Sequence, residues 1–176
     1  METIGQIQFD QVTDRKCGNC TACCVWLGIE ELKKHTAEKC KHLRGPAHTN
    51  KRCSIYASRP TACSEYKCLW RIGWGPDEWQ PHRSGILITM YENEGGFEVT
   101  MNIFDMEKAK NYITRISSQL IMIPNVVEVR VINIKGKKAL RYKDGNIYNC
   151  YLLPSEGFES LMFAAEDVPI GHYAIR

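Results

Sequence analysis

The clearest pattern lies in the second half of the chain. Phe97, Val99, Met101 and Ile103 alternate with Glu98, Thr100 and Asn102, the period of a half-buried strand. The run Gly85 to Tyr91 is predicted to pair with it as a hairpin across Glu92-Asn-Glu-Gly-Gly96. Asp105 is a natural cap for a helix whose Met106, Ala109, Ile113, Ile116 and Leu120 recur at spacings of three and four. That stripe reads as one continuous core-facing helix, ended at Pro124, rather than a cofactor box. Val127, Val129 and Val131 then alternate with Glu128 and Arg130 in a further strand. Lys-Gly-Lys (135–137) and Lys-Asp-Gly-Asn (143–146) punctuate two more. The expected order is hairpin, helix, meander.

The first half lacks such regularity. Gly28 to Glu38 has the composition of a helix, with Glu30–Lys34 and Glu31–His35 in the favourable i,i+4 order. A short second helix is expected over Ser58 to Tyr66, with Ser58 near its cap and Pro60 in its first turn. Gly and Pro break up Arg71 to Pro81, which reads as a turn-rich connector. Large aliphatic residues are scarce between the cysteines, so this segment needs another kind of fastening. The fold class expected is α+β. A cysteine-rich, metal-organised half with short helices and loops (1–80) precedes an antiparallel sheet plus helix (81–176).

Composition narrows the classes. At 176 residues, with 44% hydrophobic and 24% charged residues, the chain suits a globular protein that buries roughly two-thirds of its extended surface. Apolar runs such as Gly85 to Met90 are too short to span a bilayer, and the first ten residues show no export signal, so a cytoplasmic setting is expected. The net charge of +3 is too mild to argue for nucleic acid.

Nine cysteines change the picture, because eight fall within the first 68 residues as C-x2-C-x2-C-C-x15-C-x12-C-x9-C-x4-C. Disulfides need an oxidising compartment, whereas clustered thiols in a reducing one more naturally hold metal. A C-x2-C turn delivers two sulfurs to one ion, and Gly18-Asn19 suits that turn. The neighbours Cys23 and Cys24 diverge in either strand or helix, which suggests two metal positions, or one ligand and one packing cysteine. Two four-sulfur sites and one polynuclear cluster both fit the count. The spacing matches neither the standard ferredoxin runs nor a zinc ribbon, so zinc and iron stay open. His35, His42 and His48 are read as surface residues, since cysteine already fills the ligand count. From Lys33 to Arg52 seven basic residues stand against Glu38 alone. Without interleaved aromatics they read as charge compensation for thiolates or as solvated surface, with nucleic-acid binding the lesser alternative. Cys150, far from the cluster, is expected to be a buried, inert thiol.

Cys-Gly-Asn-Cys-Thr-Ala-Cys-Cys (17–24), Cys53-Ser-Ile-Tyr-Ala-Ser-Arg-Pro-Thr-Ala-Cys63 and Cys68-Leu-Trp70 together resemble the YkgJ-type CxxCxxCC cysteine-cluster family. That family is described as a zinc- or iron-chelating domain, sometimes as an iron–sulfur oxidoreductase, and is related to part of the flagellin lysine methylases. The resemblance covers roughly residues 17–85. It implies that Cys17, Cys20, Cys23, Cys24, Cys40, Cys53, Cys63 and Cys68 are metal ligands. Arg59 and Pro60 belong to the motif and read as structural. The function expected is a metal-binding protein holding zinc or an iron–sulfur cluster. An iron–sulfur redox or methyl-transfer-associated protein and a zinc-stabilised nucleic-acid or protein-binding module are the alternatives. No P-loop, dinucleotide glycine fingerprint or radical-type C-x3-C-x2-C occurs, so no catalytic residue is assigned.

Overall fold

The structure is a computed structural model that describes residues 13–44, 53–133, 138–153, 162–166 and 168–172. Short helices dominate the first part: α1 (Ala22–Trp26), α2 (Thr61–Glu65) and α3 (Pro81–Ser84), with single 3-10 turns at Glu30–Leu32, Tyr56–Ser58 and Asp77–Trp79. Then come β1 (Ile86–Asn93), β2 (Gly96–Ile103), α4 (Met106–Ala109), α5 (Ile113–Ile121), β3 (Val126–Asn133), β4 (Lys138–Lys143), β5 (Asn146–Leu153), β6 (Met162–Ala165) and β7 (Gly171–His172).

The fold is α+β, as the periodicities indicate, and the hairpin falls where they place it: Ile86 faces Ile103 and Met90 faces Val99. The sheet runs β1-β2-β3-β4-β5-β6, with β7 also on β5. It is mixed rather than antiparallel, because β2 and β3 pair in parallel. Parallel neighbours need a crossover of a dozen or more residues, and α4 with α5 supplies it. The expected single helix is broken into these two pieces. Asp105 does cap α4, its side chain accepting the Lys108 N–H. The apolar stripe survives the break: Ala109, Ile116 and Leu120 are fully buried and α5 lies against β3, while Met106 stays exposed.

Two further expectations fail in the first part. The helix over 28–38 is only a 3-10 turn at Glu30–Leu32, followed by Lys33 in the left-handed region (φ 50°) and closed by an Ile29–Lys34 bridge. The fold uses Lys34 on backbone carbonyls instead of on Glu30. Near residue 60, Pro60 itself occupies the cap of α2, and Ser58 ends the preceding turn.

Charge on the sheet also departs from a simple inside–outside alternation. Val127 is exposed, whereas Glu128 is 4% exposed and receives Arg130 Nε and Arg141 Nε (2.8 Å); Arg130 also reaches Glu98 at 3.1 Å. A buried carboxylate between two guanidiniums keeps its charge because both partners bond it directly. On the same face Leu87, Asn102, Ile132, Ala139 and Cys150 form one buried row across five strands. Cys150 is buried as expected, and that burial pushes its thiol pKa up.

The cysteine-bearing segment docks on the sheet's edge. Leu69 N–H donates to Ile88 O at 3.0 Å, and the Tyr66 hydroxyl lies 3.0 Å from Thr89 Oγ1. These contacts cover strand β1, which would otherwise present unpaired backbone. Trp26, Leu69, Trp70 and Trp79 share one buried cluster with Ile86, Leu87 and Met101. Gly85 closes the junction: its φ is +72°, and a Cβ there would lie 2.4 Å from Asp105 O.

Candidate metal centre

All nine cysteines are free thiols. The eight of the first part lie in two neighbourhoods. In the first, residues 13–17 run beside residues 70–75: Thr13 Oγ1 donates to Arg71 O (2.8 Å), and Arg15 donates to Trp70 O (2.8 Å), Trp74 O (3.2 Å) and Gly75 O (2.6 Å). Arg15 also stacks on the Trp70 ring at 5.0 Å. Gln80 Nε2 donates to Cys17 O at 3.1 Å, and Cys20 N–H donates to Cys17 O at 2.9 Å. Gly18 holds the C-x2-C turn with a φ of +52°, as the sequence anticipates. These bonds set Cys17 and Cys20 near Cys68.

Two sulfurs here sit in environments built for charge. Burial pushes the Cys20 thiol up, while the backbone N–H groups of Ala22 and His82 bond its sulfur and pull it back. Burial drives Cys68 up to about 12, opposed by the N–H groups of Arg71 and Trp70. Ionised Cys17 and Cys20 would raise it further, so the three sulfurs feel one another. Backbone donors aimed at sulfur stabilise a thiolate and are poorly used by a neutral thiol.

The second neighbourhood is assembled by short backbone links. Cys40 N–H donates to Cys24 O (3.0 Å), Leu43 N–H donates to Cys40 O (3.0 Å), and Leu43 bridges Cys53. Ser54 N–H to His42 O (2.9 Å) extends that pairing. Burial raises the Cys63 thiol, and charge on Cys24, Cys40 and Cys53 adds to it. Between the groups, Cys23 and Cys24 are consecutive on α1. A hydrogen bond to Cys24 and burial hold the Cys23 thiol well above its ordinary value, with Cys20 and Cys17 contributing.

Among the described residues, no three His, Cys, Asp or Glu side chains stand at distances that hold a metal ion. The sulfurs share neighbourhoods without converging. Their chemistry fits a thiophilic ion: free thiols in groups, two of them bonded by backbone N–H donors. Cys150 belongs to neither group.

Among the basic residues, Lys34 stands apart. It is 4% exposed, and its ammonium donates to Val25 O (3.4 Å), His35 O (3.2 Å) and Leu27 O. Burial lowers its pKa, while nearby Cys40, Glu38, Cys24 and Cys63 hold it up. Lys33, Lys39, Lys41 and Arg44 are exposed; Lys51, Arg52 and His48 lie outside the described residues. His35 is exposed, and His42 sits 3.4 Å from Ser54 Oγ. Arg59 caps the Tyr56 carbonyl (3.0 Å) and lies over the Tyr56 ring at 3.9 Å, the structural part its motif suggests. Sequence reasoning overlooks Arg15 and Gln80, whose only signal is proximity to Cys17 and the tryptophans.

Comparison with known proteins brings no match, whether to a family model, a curated protein or a solved structure. The family resemblance therefore rests on the cysteine motifs alone. No helix among the described residues is long and apolar enough to cross a membrane.

Proposed function

We propose that the chain is a metal-binding protein that holds zinc, or iron in an iron–sulfur cluster, through Cys17, Cys20, Cys23, Cys24, Cys40, Cys53, Cys63 and Cys68. The observation that carries this reading is the treatment of sulfur at Cys20 and Cys68. Each is desolvated, yet each receives two backbone N–H groups. Desolvation alone favours the neutral thiol, whereas the donors favour the thiolate. A bound cation resolves the conflict by supplying the missing positive charge. Zinc so bound would cross-link loops that have little core of their own; an iron–sulfur cluster would add electron transfer.

The cysteine motifs support membership of the YkgJ-type cluster family. Nine unpaired thiols support a reducing, cytoplasmic setting. Among the alternatives, burial of Lys34 supports charge compensation over a nucleic-acid surface for that part of the basic stretch.

The test is elemental analysis and absorption of full-length protein purified without oxygen. Stoichiometric zinc in colourless protein, or iron and sulfide in brown protein, supports the reading and chooses the metal. Protein that binds no zinc or iron, with all nine thiols freely titratable, overturns it.

A further inference from the structure

The eight cysteines could serve one polynuclear cluster or two separate sites, and the backbone separates these cases. Cys17 and Cys20 share a turn, Gln80 ties that turn to α3, and Arg15 and Thr13 tie its leading segment to the chain that follows Cys68. Cys24, Cys40 and Cys53 are joined through a different set of links, Cys40 N–H to Cys24 O and the Leu43–Cys53 bridge. Helix α1 lies between them. Consecutive residues on a helix point roughly 100° apart. Cys23 is coupled to Cys17 and Cys20, whereas Cys24 is coupled to Cys63 and to Lys34. The adjacent cysteines therefore divide between the two groups, although their sulfurs bond each other where the groups meet.

We propose that the chain carries two four-sulfur metal sites, Cys17/Cys20/Cys23/Cys68 and Cys24/Cys40/Cys53/Cys63, each taking one thiophilic divalent ion. This rests on the metal-binding reading above and adds the stoichiometry and the ligand sets. The sites differ in support. Cys68 belongs to the buried cluster shared with the sheet, so the first is anchored to the core. The second is built from short loops, with the Lys34 ammonium as a built-in counter-charge beside Cys24, Cys40 and Cys63. Four thiolates and a divalent ion carry net −2, so one neighbouring cation offsets half of that.

The experiment titrates full-length, fully reduced, metal-free protein with Co2+ alone under anaerobic conditions, counting equivalents from the thiolate-to-cobalt absorption. Wild type should saturate at two equivalents. Cys68→Ser and Cys63→Ser should each saturate at one, and Cys150→Ser should keep two. The less buried positions Cys17→Ser and Cys53→Ser repeat the comparison without disturbing the core, and they should also retain one equivalent each. Saturation of wild type at a single equivalent, or loss of both ions in Cys17→Ser or Cys53→Ser, overturns the partition while leaving metal binding intact. Wild-type protein that takes up no Co2+, zinc or iron overturns the metal-binding reading itself.

Discussion

Lys34→Met isolates the counter-charge. Methionine keeps an unbranched apolar stem of similar reach and removes the ammonium. In the thiol form the change deletes the donor to Val25 O, Leu27 O and His35 O. It also removes the cost of burying a charge, so about 1 kcal/mol of net destabilisation is expected. In the metal-loaded form a group of net charge −2 loses its nearest buried cation. A pair of unit charges at an effective dielectric of 20 attracts by about 4 kcal/mol at 4 Å, and less at greater separation. A loss of about 2 kcal/mol follows, or roughly 30-fold in metal affinity. Competition of zinc-loaded protein with a chromophoric chelator measures it. Exposed Lys33 serves as the control, and Lys33→Met should move affinity less than twofold. If Lys34→Met retains zinc as tightly as wild type, Lys34 is only a carbonyl cap and the compensation argument fails.

Two predictions concern the scaffold. Glu128→Leu strands Arg141 without its carboxylate, whereas Arg130 keeps Glu98; urea unfolding should register a loss of about 3 kcal/mol. Adding Arg141→Leu should recover part of it, and strict additivity of the two changes would refute the coupling. Gly85→Ala meets Asp105 O at 2.4 Å in a backbone conformation of φ +72°, so thermal unfolding should show a loss of about 2 kcal/mol.

The second half was legible because its burial is periodic. Hairpin, cap and valine strand all follow from alternation and from Asp105. Two features escaped for physical reasons. The parallel β2–β3 pairing depends on where the chain returns after α5, and alternation carries no strand order. The burial of Glu128 depends on Arg141 from another strand, so local polarity points the wrong way. In the first half, helix propensity over 28–38 yields to Lys34, whose ammonium serves three carbonyls only if the chain turns at Lys33. The cysteine spacing identified the sulfurs but left their grouping open. Grouping comes from contacts such as Cys40 to Cys24 that span many residues.

Metal and packing divide the work of holding the cysteine-rich segment. Scarcity of aliphatic residues suggested that its tryptophans depend on metal, yet Trp26 and Trp70 are 5% and 6% exposed within the cluster that includes the sheet. Hydrophobic burial of that kind persists without an ion. The outer loops differ. Among the described residues between 27 and 65, Ile29 is the sole buried hydrophobic, and it lies outside the shared cluster. Such a region opens at little cost once its cross-links go. Chelation under reducing conditions should therefore leave tryptophan emission nearly unshifted. Amide exchange should accelerate through residues 29–43 and 53–63, while residues 86–103 stay protected. A tryptophan red shift in step with the loop exchange would mean that the metal fastens the core as well, and that the sheet edge is held by the sites rather than by its own burial.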